Sequence, residues 1–269
     1  MSEDNKIKAT AEAVSEIVKA IPIYQDAVQP AAQEIGLALQ TVAKSINVAL
    51  APISALVWGY DRIKDFVNTR VAQKLKNVPS ENISTPNPSV AGPALEALKY
   101  SGHQEVLREM YANLLATSLD TKTAEYAHPG FVDIIKNMSP DEAKIMRLFV
   151  FTDGYPLIDV IDEKNDLTGY QFVYTNFSNI GAEANCQYPE LAPNYLDNLC
   201  RLGLLEIPGG VRIITTPNTY EPLESDKRLD EVKAAIQKQD GHRIRFVNKV
   251  VKITNFGRQF SNSCIIEKT

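Results

Sequence analysis

The chain has 269 residues, 44% hydrophobic, 23% charged and 8% aromatic. That is the composition of an ordinary globular protein of about two compact units, and it excludes collagen, a disordered tail and a disulfide knot. The 28 Lys and Arg against 33 Asp and Glu leave a net charge of −5, so no general attraction to phosphate backbones is expected.

Ile7, Val14, Ile17, Val18 and Ile21 recur at nearly helical spacing and predict one or two short helices over residues 4–28, punctuated by Pro22 and Pro30. Alanines, leucines and valines crowd residues 31–50, and Pro52 sits where a first-turn proline would open the next helix. Ile53, Leu56, Val57, Tyr60, Ile63, Val67, Val71 and Leu75 then trace one apolar stripe down a long helix ending near Asn77.

From Ser45 to Tyr60 there is no charged side chain. A spanning helix needs about 20 predominantly apolar residues, and this run is shorter and contains Ser45, Asn47, Ser54 and a proline. A simple transmembrane span is therefore not expected. The run reads as a buried helical hairpin, as a surface that docks on a partner or lipid, or as a segment that inserts when triggered. Ile53, Leu56, Trp58 and Tyr60 are the candidate interface residues, because Trp and Tyr beside Gly59 suit an interfacial anchor as well as a core.

Residues 77–92, NVPSENISTPNPSVAG, carry three prolines among polar residues and predict a linker. Gly92 and Pro93 open a helix bearing Leu95 and Leu98, and a second follows with Val106, Leu107, Met110, Tyr111, Leu114, Leu115 and Leu119 on one side. After the turn at His128, Pro129 and Gly130, Phe131, Ile134 and Ile135 suggest another short helix. Ser139, Pro140, Asp141 and Glu142 are a strong helix start, with Ser as cap and Glu three residues on to reach back.

Residues 155–161 and 170–175 are rich in β-branched and aromatic side chains and read as strands joined by a polar turn. A short helix follows near 177–184, then a better one over 190–202 with Leu196, Leu199 and Cys200 inward and Gly203 as its stop. LLEI and VRIITT, across Pro208, Gly209 and Gly210, predict a hairpin. Residues 221–238 predict an inserted helix, RIRFVNKVVKIT a long strand, and residues 255–260 a last helical turn. The organisation is thus an N-terminal helical region (1–76), a linker (77–92), a helical connector (93–138) and a C-terminal domain (139–269). The class is α+β, mainly α.

The order of elements over residues 139–265, with RLGLLE after a short helix and a late strand running into ITNFGRQF, resembles a winged helix. In DNA readers of that kind the second helix of the motif presents polar and basic side chains to the groove. Here that position offers Asn194, Tyr195 and Arg201, and the late strand adds Arg243 and Arg245, as candidate nucleic-acid contacts. Residues 138–269 hold 15 basic against 18 acidic side chains, so phosphate contacts would be few and the arginines read equally as charge guarding an edge.

The runs VAQKLKNVPSENISTPNPSVAGPALEALKY, LREMYANLLATSLD, AHPGFVDIIKNMSPDEAKIM and YLDNLCRLGLLEI resemble the bacterial abortive infection alpha family, from about Ile53 to the C-terminus. The resemblance implies a protein of defence against phage and supplies no catalytic residues to carry over.

Motifs for chemistry are missing: no HExxH, no Cys/His cluster, no phosphate-cradling glycine loop and no nucleophile elbow. No cofactor, metal or catalytic residue is expected. Cys186, Cys200 and Cys264 lack CxxC spacing, and MSEDNKIK lacks the apolar core of a secretion signal, so a reduced, cytoplasmic location is expected. The sequence predicts a non-enzymatic phage-defence protein acting through a helical or membrane-directed surface, with a protein partner or self-association. The alternatives are a winged-helix adaptor and a DNA-binding regulator.

Overall fold

The computed structural model describes residues 57–213 and 216–267. The predicted helices over 4–28 and 31–50, and with them Ile53 and Leu56, lie outside the described residues. Helix α1 (Tyr60–Phe66) runs through a π-helical turn (Val67–Val71) into a last short piece (Ala72–Lys74). The expected unbroken stripe is therefore corrected. Ile63, Phe66, Val71 and Lys74 are the buried positions, and the five-residue step from Phe66 to Val71 is what i→i+5 winding supplies and a regular α-helix does not.

The 77–92 segment is not a free linker among these residues. Ile83 bridges to Asp120, Ser84 N–H donates to Leu119 O at 2.9 Å, and α2 (Pro88–Ser101) begins well before Pro93. The reason is local: the Asn87 side chain accepts from Ser89 N at 3.0 Å and Pro88 occupies the first turn, where its missing N–H costs nothing. Pro93 deprives only the Ser89 carbonyl of a partner, and Ser89 is exposed to water.

Helix α3 (Glu105–Leu119) is the axis of the helical half, with Tyr111, Ala112, Leu114 and Ala116 wholly inaccessible. Sequence periodicity assigned it one apolar side. It is instead enclosed by the π-helical turn and short piece that follow α1 (Val67–Val71 and Ala72–Lys74), by α2, α4 (Gly130–Lys136) and α5 (Pro140–Leu148), and by a C-terminal π-helical turn (Ser261–Ile265). Of its three buried polar residues, Ser118 bonds within the helix, donating to Leu115 O, while Asn113 Nδ2 donates to Cys264 O at 2.9 Å and Thr117 Oγ1 to Ser263 O at 3.2 Å, taking carbonyls of that turn. The start of α5 is a full capping box, with Ser139 Oγ accepting from Glu142 N and Glu142 Oε2 accepting from Ser139 N at 2.6 Å.

Four strands, β1 (Gly154–Lys164), β2 (Tyr170–Phe177), β3 (Leu205–Glu206) and β4 (His242–Ile253), form an antiparallel sheet in the order β2-β1-β4-β3. Helices α6 (Ile180–Glu183) and α7 (Ala192–Arg201) lie between β2 and β3 in sequence. The hairpin expected between LLEI and VRIITT is corrected: β3 pairs with β4, Leu205 opposite Ile253 and Glu206 opposite Lys252. Ile213 is drawn elsewhere, its N–H donating to Tyr220 Oη at 3.0 Å beside a second small core of Ile158, Val160, Leu223 and Leu229. The expected inserted helix is broken into α8 (Glu221–Glu224) and α9 (Asp230–Gln237), because the Asp226 side chain accepts from Arg228 N and starts a fresh turn. Helix α10 (Asn255–Phe260) closes the fold, and Gly257 is required there because a Cβ would overlap Leu204 O.

Strand β2 is an edge, and it is bulged. Val160 and Ile161 are consecutive on β1, yet they face Tyr174 and Phe172, which leaves Val173 extra; a second irregularity lies between Ile158 and Val160. Asn176, at φ +55, donates its N–H to Asp159 Oδ1 at 2.9 Å. Bulges of this kind twist an edge away from further strand pairing.

Candidate interaction surfaces

The first surface lies where α1 and α2 meet. Trp58, a candidate interface residue by sequence, is core: it is 5% exposed, its backbone N–H donates to Lys99 O at 2.8 Å, and its ring meets Phe66 edge-on at 5.7 Å. Arg62 and Arg108 lie over the indole with guanidinium carbons 4.7 and 5.7 Å from its centroid. Gly102 makes room for the ring, since a Cβ there would overlap it. Tyr60 behaves in the opposite way and is 78% exposed. Beside it an open groove has Ile63, Val67 and Leu95 along its floor and Lys64, Lys99 and Glu96 among its rim residues.

The second is α7. Asn194 and Arg201 are exposed, but Tyr195 is buried, its hydroxyl donating to Asp141 Oδ2 at 3.2 Å. Asp141 also accepts from Gln187 N at 2.9 Å, Tyr188 N at 3.1 Å and Lys144 Nζ at 2.8 Å. Burial alone would raise its pKa, yet the Lys144 ammonium and the two backbone donors outweigh that and hold the carboxyl below the usual range. Asn198 Nδ2 donates to Glu142 Oε1 at 2.8 Å and to Asn137 O, and its own Oδ1 takes Arg201. Much of the polar chemistry of α7 is thus spent fastening it to α5.

The third is the outer end of the sheet. In the antiparallel register Tyr170 stands opposite Glu163, which stands opposite Arg243; in the next row on the same face Phe172 stands opposite Ile161, which stands opposite Arg245. Glu163 accepts from Arg243 Nε and Nη2 at 2.9 and 2.7 Å through one oxygen and from Arg245 Nε at 2.8 Å through the other. The Arg243 hydrogen bonds are the main reason its carboxyl is held low. The Arg245 guanidinium also lies 5.7 Å from the centre of the Tyr170 ring. Arg243 and Arg245, candidate contacts by sequence, are therefore brought together, whereas no contact joins them to Asn194, Tyr195 or Arg201 among the described residues.

Burial pushes the Cys186 and Cys200 thiols up to about 11, and raises that of Cys264 as well. Thiols so shifted are protonated at neutral pH and poor nucleophiles. Among the described residues no group of three or more His, Cys, Asp and Glu is placed to hold a metal ion, and no helix is long and apolar enough to cross a membrane.

A family model described as abortive infection alpha matches residues 59–264. The chain belongs to the abortive infection alpha family. Among solved structures, an uncharacterized protein from the hydrocarbon-degrading marine bacterium Alcanivorax borkumensis SK2 is similar, with 18% identity over 52% of this chain and 92% of that one and a TM-score of 0.35. Comparison with curated proteins returns no match.

Membership of the abortive infection alpha family connects the chain with abortive infection, a form of phage defence. Three features of this family member escape a reading of its sequence. Asp141 lies between the Ser139 and Glu142 of a capping box and gives no sign of binding four donors. Lys74 looks like solvent-facing charge, but its side chain is 4% exposed and its Nζ lies 3.1 Å from Glu109, which Arg70 also pairs at 2.8 Å. Tyr170 and Phe172 read as strand formers; the signal available was that residues 167–182 carry no charge at all.

Proposed function

We propose that this member of the abortive infection alpha family is a non-enzymatic, cytoplasmic phage-defence protein that acts by docking an amphipathic helix of a protein partner in the α1–α2 groove. The observation that carries the reading is the groove itself. An apolar floor of Ile63, Val67 and Leu95 between two helices suits the apolar face of a third, and Lys64 and Lys99 on the rim favour acidic flanks on the incoming helix. Tyr60 stands at the mouth with its ring in solvent, and amphipathic Tyr is common among interface anchors.

The C-terminal half serves as scaffold in this reading. The order α5, β1, α6, α7, β3, β4, with β1-β4-β3 adjacent in the sheet, supports a winged helix carrying β2 as an addition on its outer edge. Its use as a protein adaptor is favoured over duplex reading because Tyr195 and Asn198 already serve internal contacts.

The test is infection of cells carrying wild-type protein or the Tyr60→Ser/Leu95→Ser variant, scoring phage yield and host survival together. Loss of protection by a variant that melts like wild type is expected. Full protection by that variant overturns the docking surface. Liposomes with anionic lipid provide the second arm, and binding there without a protein partner would replace the helix by a membrane surface.

A further inference from the structure

The outer end of the sheet has a use that the α1–α2 groove does not explain. Tyr170 and Phe172 are 61% and 53% exposed on one face of β2, in edge-to-face contact with ring centres 5.7 Å apart. Aromatic side chains of this size normally earn their place by being buried. Pairing of β2 with another strand would be one reason to leave them out, but the bulge at Val173 distorts that edge.

On the same face, two strands away and so at about 10 Å, stand the arginines of β4. Glu163 fixes both guanidiniums yet uses only part of their hydrogen-bonding capacity. Arg243 commits Nε and Nη2 to it, and Arg245 commits Nε alone. The remaining N–H groups of two charged forks, with side chains 51% and 38% exposed, face outward beside the rings. Two cations against one buried carboxylate leave this patch positive on a chain whose net charge is negative.

We infer that this face of β2, β1 and β4 is a binding site for single-stranded nucleic acid, with bases stacking on Tyr170 and Phe172 and backbone phosphates taken by Arg243 and Arg245. An open sheet bearing exposed rings with arginines alongside is a stacking platform that accepts any base, because every base offers a π-face. Two rings set the footprint at about two nucleotides, so the site is weak and independent of sequence. A duplex, whose bases are already stacked, has nothing to offer the rings. The uncharged run through residues 167–182 puts no like charge in the path of the strand.

The experiment uses the full chain and fluorescein-labelled U12 RNA and T12 DNA, followed by anisotropy at 50 mM and 200 mM salt, with a 12-base-pair duplex alongside. Binding of the single strands with Kd of about 1–100 μM is expected, with a slope of log K against log salt of about −1.4 for two phosphates. Tyr170→Ala and Phe172→Ala should each weaken binding by roughly 10-fold. The two aromatic variants should keep the wild-type circular dichroism because their side chains are exposed, and Arg243→Gln/Arg245→Gln, which takes both cations from Glu163 and is assayed below its own melting temperature, should flatten the salt dependence. Tyr60→Ser/Leu95→Ser should bind the strands as wild type does, which separates this site from the groove. Absence of binding up to 100 μM protein, or binding unchanged in the double aromatic variant, overturns the inference. Equal affinity for the duplex moves the contact to another surface, and capture of anionic vesicles but not oligonucleotides replaces nucleic acid by lipid.

Discussion

Asp141 is the side chain whose loss the fold should feel most sharply for the least change in shape. In Asp141→Asn one carboxylate oxygen becomes an NH2 group, while the donors around it stay where they are. Gln187 N and Lys144 Nζ approach Oδ1, and Tyr188 N and Tyr195 Oη approach Oδ2. Whichever way the amide turns, its NH2 group meets a backbone N–H, that of Gln187 on one side or of Tyr188 on the other. The Lys144 ammonium has water within reach, with 28% of its side chain exposed, so its share is small. The side chain of Asp141 is 6% exposed, and leaving the backbone N–H and the amide hydrogen that meets it both unsatisfied at about 1–3 kcal/mol each gives a total of roughly 3 kcal/mol. For a body of this size that corresponds to a fall in Tm of roughly 6–12 °C. Urea and thermal unfolding at pH 7 measure it, and Tyr195→Phe in a double-mutant cycle should return a coupling of about 1 kcal/mol.

The pH dependence provides a second reading of the same site. The folded pKa of Asp141 lies below its unfolded value, so its stabilisation is complete above about pH 4 and is lost as pH falls through the folded value. Asp141→Asn should therefore lie closest to wild type at the most acid pH at which both remain folded. A variant within about 0.5 kcal/mol of wild type at pH 7, the range of an ordinary surface change, would refute the account of Asp141 as the anchor between α5 and α7.

Three further outcomes follow from particular contacts. Trp58→Ala should cost about 3–5 kcal/mol in unfolding experiments, since it empties the space that Phe66, Arg62 and Arg108 surround, and any loss of phage protection in that variant then reports folding. Glu109→Gln should destabilise by about 3 kcal/mol by leaving the Lys74 charge buried with only Glu267 at 3.6 Å, whereas Lys74→Met should be close to neutral; the reverse ranking in urea melts would contradict the burial of that pair. Titration with a thiol reagent should find Cys264 unreactive in the folded protein and Cys186 and Cys200 slow at pH 7, with rates rising toward pH 11, and fast labelling at pH 7 would show that these side chains are not held as described.

The sequence determined what depends on neighbours along the chain. The capping box at Ser139 and Glu142, the strand formers of β1, β2 and β4, the stop at Gly203 and the apolar periodicity of α3 each express a local preference, so the α+β class and most elements were legible, as was the family through its long runs. Tertiary structure decided what depends on distant partners. Periodicity cannot tell that α3 is enclosed on all sides, because Asn113 and Thr117 become acceptable core residues only when carbonyls from residues 263–264 arrive beside them. It cannot tell Trp58 from Tyr60, two residues apart and both aromatic, because Gly102 opens a space for one whereas the other is 78% exposed. The pairing of β3 with β4, and the placing of Arg243 and Arg245 on one carboxylate across from two open rings, arise from sheet register, in which residues some eighty positions apart become neighbours at no cost that local propensity can register.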